Sequence, residues 1–224
     1  MISVIIPVYN EEKNIEKIQN HLSELEGEFE VIFSDGGSTD RTVELIRPPF
    51  QVVTGTKGRG IQMNRAAMHA KGEILFFIHC DVELESDVFQ KIPQEIKNGQ
   101  AVGYLRIVFQ SERFLMRICG FMSEMRARVR KIVFGDQGYM LHKGLFLECG
   151  KIPELRLMED YEFSMRLKEQ GIPLKRIPGK IHVSARRFEQ NGMLRTMWQM
   201  QKMQVKYRKN RCEGNFAERY DDIR

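Results

Sequence analysis

The sequence has no apolar run long enough to cross a bilayer. Its longest uninterrupted runs are Val4–Pro7 and Ile74–Ile78, well short of the ~20 residues a spanning helix needs. Cysteine is scarce: Cys80, Cys119, Cys149 and Cys212 are widely spaced and form no CxxC pair. That argues against a disulfide framework or structural zinc, and reduced thiols in a cytosol are the simplest reading. No basic stretch precedes Ile2 and no small-residue cleavage site follows it, so the first residues read as a buried strand and not as a signal peptide. Neither GxxxxGK[ST] nor GxGxxG occurs. No zinc-finger, helix-turn-helix or RNP pattern accompanies the positive charge, so nucleic acid is not an expected partner.

What is present is an ordinary globular balance. The 224 residues are 42% hydrophobic and 29% charged, which suits one α/β domain and excludes wholesale disorder. The net charge of +5 is unevenly spread: residues 175–224 carry 13 Lys/Arg against 5 Asp/Glu, and residues 1–174 carry 22 against 25. An anionic substrate or membrane surface near the C-terminal end fits that asymmetry.

Strand and helix signals alternate through the first hundred residues. Ile2–Pro7, Phe29–Ser34, Gln51–Thr54 and Ile74–Ile78 read as strands. Ile15, Ile18, Leu22 and Leu25 fall on one helical face. Helices are also predicted over Thr39–Ile46, Ile61–Ala70 and Val88–Ile96, the last with Ser86 as N-cap. Pro48-Pro49 breaks the chain, and Gly55–Gly60 is a glycine-rich basic loop. This order predicts a mostly parallel central sheet flanked by helices, with right-handed crossovers. The second half is less regular. Ala101–Phe109, Gly138–Leu141, Lys175–Ile177 and Ile181–Val183 read as strands, Phe114–Val133 as helical, and Asp160–Gln170 as a helix ended by Gly171. Met193–Tyr207 is a basic amphipathic helix.

In parallel sheets ligands bind beyond the carboxyl ends of strands, so the polar residues there are weighed first. Pro7-Val8-Tyr9-Asn10-Glu11, Asp35-Gly36-Gly37-Ser38-Thr39-Asp40 and His79-Cys80-Asp81 close three such strands. Asp35 either accepts hydrogen bonds from a nucleobase or sugar, or caps its own turn. Asp81 suits a hard divalent cation bridging two phosphates, because Mg²⁺ takes most of its ligands from substrate and water. His79 is a ligand better suited to Mn²⁺, a ribose contact, or a structural histidine.

Here the chain resembles glycosyltransferase family 2 of the GT-A fold. The resemblance rests on Ser3–Glu12, Asp35–Asp40, Gly58-Arg59-Gly60-Ile61-Gln62-Met63-Asn64, Phe77–Asp81, Gly135-Asp136-Gln137-Gly138, Met158-Glu159-Asp160 and Ser184-Ala185-Arg186-Arg187-Phe188, in that order. The set is similar to a small bacterial subgroup associated with radical-SAM proteins. It implies an enzyme that takes a sugar from a nucleotide diphosphate donor, inverts the anomeric carbon and uses Mn²⁺ or Mg²⁺. It implies a donor site of Pro7, Tyr9, Glu11, Asp35, Arg59, Asn64, His79, Cys80, Arg186 and Arg187. Asp81 holds the metal, with His182 as a late ligand, and His79 stands where the family has the first acid of its metal motif. The register Asp81-Val82-Glu83 is the second choice. Asp160 is the expected base, with Glu159 beside it; both acids would also favour a helix N-terminus for structural reasons. Gln137 falls on the acceptor side.

The expected layout is a GT-A domain over 1–190, with a nucleotide-binding half to 98 and an acceptor half from 99, and a basic helix and tail over 191–224. Residues 191–209 either touch a membrane or pack on the domain or on a second copy. A nucleotidyltransferase and a non-catalytic sugar-nucleotide-binding subunit are the rival readings. The acceptor is a small molecule or a lipid-linked one. The expected location is cytoplasmic, at or near the inner face of the membrane.

Overall fold

The computed structural model describes residues 1–96 and 99–209. The 1–98 boundary and the tail 210–224 therefore fall on or run into residues outside the described ones. Eight strands form one sheet: β1 Ile2–Val8, β2 Phe29–Asp35, β3 Gln51–Thr54, β4 Ile74–Phe77, β5 Val82–Leu84, β6 Val102–Gln110, β7 Tyr139–His142 and β8 Leu174–Ser184. The spatial order is β3-β2-β1-β4-β7-β6-β8-β5. The β3-β2-β1-β4 half is parallel, as the alternating pattern predicted. Beyond β4 the sheet is mixed: β7 is antiparallel to β4 and β6, and β5 to β8, while β6 and β8 run parallel.

The sheet has to curl. Five peptide steps join Phe77 to Val82 and span at most ~17 Å. Four strand spacings across a flat sheet would need ~19 Å. β6 and β7 share only the Gly103–Met140 pair.

Helices α1 Glu12–Ser23, α2 Arg59–His69, α3 Val88–Glu95, α4 Phe114–Met125, α5 Lys143–Glu148, α6 Glu159–Glu169, α7 Arg186–Asn191 and α8 Met193–Lys209 cover the sheet. Alternating strand residues supply two cores. Val4, Ile6 and Val8 pack with Ile15, Ile18, Leu22 and Phe89 on one face. Ile5, Ile32 and Phe77 pack with Ala66, Phe146 and Phe163 on the other.

Several local expectations need correction. Thr39–Ile46 is a set of turns and not a helix. Its polar groups are taken by side chains: Gln19 accepts from the Arg47 N–H at 2.7 Å and donates to the Leu45 carbonyl at 2.9 Å. Such local bonds compete with a helical ladder. The cap of α3 is Asp87, not Ser86, and it makes no side-chain capping bond. β5 and α5 are too short for a periodic signal. The two predicted strands around Pro178-Gly179 are one strand, because a register shift opposite Tyr104/Arg106 absorbs those residues as a bulge. The predicted Phe114–Val133 helix is α4 followed by a π-helical turn, Arg126–Arg130, which stops at Lys131 with φ +57°. The end of α6 is as expected. Gly171 has φ +72°, and the Gly171 and Ile172 N–H groups donate to Lys168 and Leu167 carbonyls, a Schellman closure.

Candidate active site

The first two strand-end loops are bonded into one platform. The Asn10 N–H donates to Ser38 Oγ at 2.9 Å, and the Thr39 N–H returns to Asn10 Oδ1 at 2.9 Å. The Glu11 N–H donates to Thr42 Oγ1 at 2.7 Å. Asn10 holds φ +54°, a conformation non-glycine residues adopt only where the surroundings enforce it. Asp35 is buried and its carboxylate accepts from the Gly37 N–H, the Ser38 N–H and Ser38 Oγ at 2.9, 3.0 and 2.6 Å. Of its two sequence readings, the turn cap is what these bonds describe.

Gln62, which sequence reasoning quoted but gave no role, fastens this platform to α2. Its Nε2 donates to the Val8 and Ser34 carbonyls at 2.8 and 2.7 Å, and its Oε1 accepts from the Gly58 N–H at 3.2 Å. The available signal was a polar residue on the Ala/Met-rich buried face of α2. Pro7 is buried in β1 opposite Ser34. Tyr9 carries the Lys57 ammonium 3.9 Å above its ring, which brings a cation of the glycine-rich loop to the platform. Glu11 accepts from Asn14 Nδ2 at 2.6 Å.

At the end of β4 the two halves of the chain meet. His79, Gly135, Glu159 and Asp160 line one small pocket. A Cβ on Gly135 would stand 2.8 Å from His79 Nε2 and 3.6 Å from Asp160 Oδ2, so only glycine lets this loop approach both. Asp160 Oδ2 accepts from the Gly135 N–H at 3.0 Å, and Oδ1 from the Tyr161 N–H at 2.7 Å. Met158, with φ +67°, turns the chain into α6 just before this pair. Glu159 is 1% exposed and pairs with Arg59 Nε at 2.8 Å. Arg59, expected at the donor phosphates, is thus engaged by a buried carboxylate. Asn64, expected at the donor, instead clamps the far loop: Nδ2 donates to the Ile152 carbonyl at 2.9 Å and Oδ1 accepts from the Ile152 N–H at 3.1 Å.

The residue that sequence reasoning underweighted most is Asp136. Its Oδ1 is buried with no hydrogen-bond partner among the described residues. Burial pushes its carboxyl up to about 6; Arg126 opposes that shift, and the charges of Asp160 and Asp81 add to it. Charges from two distant segments therefore reach Asp136. Arg126 supplies the compensating charge. Its guanidinium stacks 3.9 Å over Phe134 and donates to Gln137 Oε1 at 2.8 Å. Gln137, expected on the acceptor side, is fully buried and spends its amide on Arg126 and the Leu105 carbonyl.

Asp81 is exposed beside a pocket it shares with Lys17, Ser184 and Arg186. Cys80 points to no ligand role through its side chain: it belongs to the core, and burial, then Glu11 and Asp81, push its thiol up. His182 lies opposite Glu83 in the β5–β8 pair and lines neither this pocket nor the one around Asp160. Ser184 ends β8 beside the start of β5. The side chain of Arg187 lies outside the described ones. No cluster of three His, Cys, Asp or Glu side chains poised for a metal occurs among the described residues.

Residues 3–148 match the family described as glycosyl transferase family 2. A dolichol-phosphate mannosyltransferase from Pyrococcus furiosus is 31% identical over 110 residues, which is 45% of this chain and 31% of that protein. A 4,4'-diaponeurosporenoate glycosyltransferase from Staphylococcus haemolyticus is 27% identical over 213 residues, 84% of this chain and 57% of that one. Among solved structures, Staphylococcus aureus TarS 1–349 in complex with UDP-GlcNAc superposes with a TM-score of 0.64 at 20% identity, over 82% of this chain and 58% of that one. The mannosyltransferase PcManGT from Pyrobaculum calidifontis, in complex with GDP-Man and Mn²⁺, gives 0.62 at 20%, over 80% and 56%. The chain spans between about a third and three fifths of the length of these proteins. The curled mixed sheet and its flanking helices are therefore of the GT-A kind, and the chain belongs to glycosyl transferase family 2.

Proposed function

We propose that this chain transfers a sugar, with inversion, from a nucleotide diphosphate donor to an acceptor hydroxyl or phosphate oxygen. The observation that carries this reading is the meeting of His79 at the end of β4 with Gly135, Glu159 and Asp160 in one pocket, where the Gly135 N–H donates to Asp160 at 3.0 Å. An inverting displacement needs a carboxylate facing the acceptor and a positive environment for the leaving diphosphate. Asp160 accepts from two backbone N–H groups at the start of α6, which fixes the direction of its carboxylate. It takes the proton from the acceptor oxygen. Glu159 fixes Arg59 and with it the glycine-rich loop.

The donor set at Asp81 fits Mg²⁺ or Mn²⁺, which needs one or two protein carboxylates and completes its shell with phosphate oxygens and water. When bound, such an ion neutralises the charge that grows on the departing diphosphate. Arg186, lining the same pocket, suits bidentate contact with phosphate. The PcManGT complex with Mn²⁺ and the TarS complex with UDP-GlcNAc support a sugar-nucleotide donor and a divalent ion here. The free buried Cys80, Cys119 and Cys149 support a cytoplasmic setting. No helix among the described residues is long and apolar enough to cross a membrane.

The direct test is release of nucleoside diphosphate from UDP- and GDP-sugars, with Mn²⁺ and with a chelator, in the absence of acceptor. Metal-stimulated release is expected. Release of pyrophosphate from nucleoside triphosphates instead would make the chain a nucleotidyltransferase. Binding without turnover under any donor and metal, with or without acceptor lipids, would make it a sugar-nucleotide-binding subunit.

A further inference from the structure

The acceptor half carries a surface that the reaction above does not use. On α4, Met116, Cys119, Gly120 and Glu124 face the protein. The opposite face is apolar and open: Phe114 is 71% exposed, Phe121 61%, Met122 47% and Met125 41%, and Val129 of the π turn is 69% exposed. These positions recur at helical spacing, so they form one stripe. Soluble surfaces rarely leave such a stripe uncovered without a use for it.

Two observations say what covers it. The first is charge. Between 112 and 131 there are six Lys/Arg and two Asp/Glu. Arg113, Arg117, Arg128, Arg130 and Lys131 are exposed, and Glu124 is buried and paired with Arg128 at 2.6 Å. An apolar stripe bordered by cations complements a bilayer with anionic headgroups. The second is continuity with the site. Met122, Met125 and Val129 are at once members of the stripe and walls of a cavity of about 400 Å³ between α4, the π turn and α8. Met197 and Met200 form the α8 wall, and Asp136, with its unpartnered buried oxygen, also lines the cavity. One end of the cavity wall is thus the exposed stripe, and another is a carboxylate coupled to Asp160.

We propose that the α4 face rests on an anionic bilayer, and that the cavity behind it admits an acceptor with an apolar body from that bilayer. The acceptor half of this proposal rests on the glycosyl-transfer reading; the docking half does not. It adds a second surface to the one expected at 191–209. The inner residues of α8, Met197, Met200, Met203 and Tyr207, pack on the domain, while its Leu194, Trp198 and Val205 are exposed as the α4 stripe is.

The test uses the purified full chain with phosphatidylcholine vesicles, with and without phosphatidylglycerol. Sedimentation with the anionic vesicles, weakened by salt, is expected. Phe114→Glu with Phe121→Glu should lower that binding about tenfold or more. Neither residue lines the cavity or the catalytic pockets, so donor hydrolysis in vesicle-free solution and the melting temperature should stay near wild type. Phe121→Ser is the milder variant should the double one unfold. Farnesol or farnesyl phosphate carried in the vesicles should raise nucleotide release by the wild type and not by the double variant; free phosphate in solution should not raise it.

Equal binding by wild type and variant, or none by the wild type, overturns the docking half. A solution dimer that the double variant dissolves makes the stripe an interface between copies instead. Vesicle binding with no response to either lipid overturns the acceptor half alone. Failure of donor hydrolysis itself refutes the enzymatic reading and leaves the docking result standing.

Discussion

The two halves of this chain handle polar groups in opposite ways. In the first half, Asp35, Asn10, Thr42 and Gln62 tie the loops at the strand ends to one another through turn N–H and carbonyl groups, and Ser34 Oγ is left buried without a partner among the described residues. The platform is finished before any ligand arrives. In the second half, charges are buried without completion. Asp136 keeps an unpartnered oxygen, Arg126 is half-buried against Phe134, and a π turn replaces regular helix. Buried polar groups that lack partners cost stability. Such a cost persists where function selects for it.

The strongest way to break this contrast is at Asp160. Asp160→Asn should lower turnover about 10³-fold and leave donor affinity, by calorimetry, within a small factor. Near-normal turnover would remove Asp160 as the base.

Gln62→Ala should cost about 3 kcal/mol, because two buried carbonyls lose their donor at once. Urea unfolding measures it. A loss no larger than a surface substitution would mean the platform does not depend on this amide.

Asp136 should behave the other way. Its folded carboxyl titrates near 6, above the ordinary 3.8. The folded state therefore holds its proton more tightly, and stability falls as pH rises between those values. Without divalent ions, Asp136→Asn should flatten that fall and raise stability at pH 7 by about 2 kcal/mol. A variant less stable than wild type at pH 7 would show that the anion is welcome in the fold.

The smallest expected effect separates metal from scaffold. Asp81→Ala should weaken donor binding about tenfold with Mn²⁺ and leave it unchanged with a chelator. Equal loss in both conditions would assign Asp81 a contact other than the ion.

Much of the first half was legible because its signals are local. Val4–Val8 and Ile74–Phe77 are short apolar strands, and Ile15, Ile18 and Leu22 mark one face of α1. The Asp35 turn needs only its own glycines. The misreadings have long-range causes. Thr39–Ile46 has helical residues, yet Gln19 takes its backbone groups from 26 and 28 positions away. Pro178-Gly179 looks like a break until β6 supplies a ladder that tolerates a bulge. Asn64 and Gln137 make bonds to Ile152 and Arg126 that no local pattern announces.

By itself the sequence determined the parallel sheet, the α1 and α6 helices and the identity of Asp81, Glu159 and Asp160 as the acids to watch. The sheet and helices follow from hydrophobic period, which acts between neighbours, and the acids from residue chemistry at a strand end and from the resemblance to the family's motifs. Only the tertiary structure decided that Asp136 joins them, that Arg59 is held by Glu159, and that α4 keeps an apolar face turned outward. Burial and charge coupling depend on which segments the curled sheet brings together, and no spacing along the chain encodes that distance.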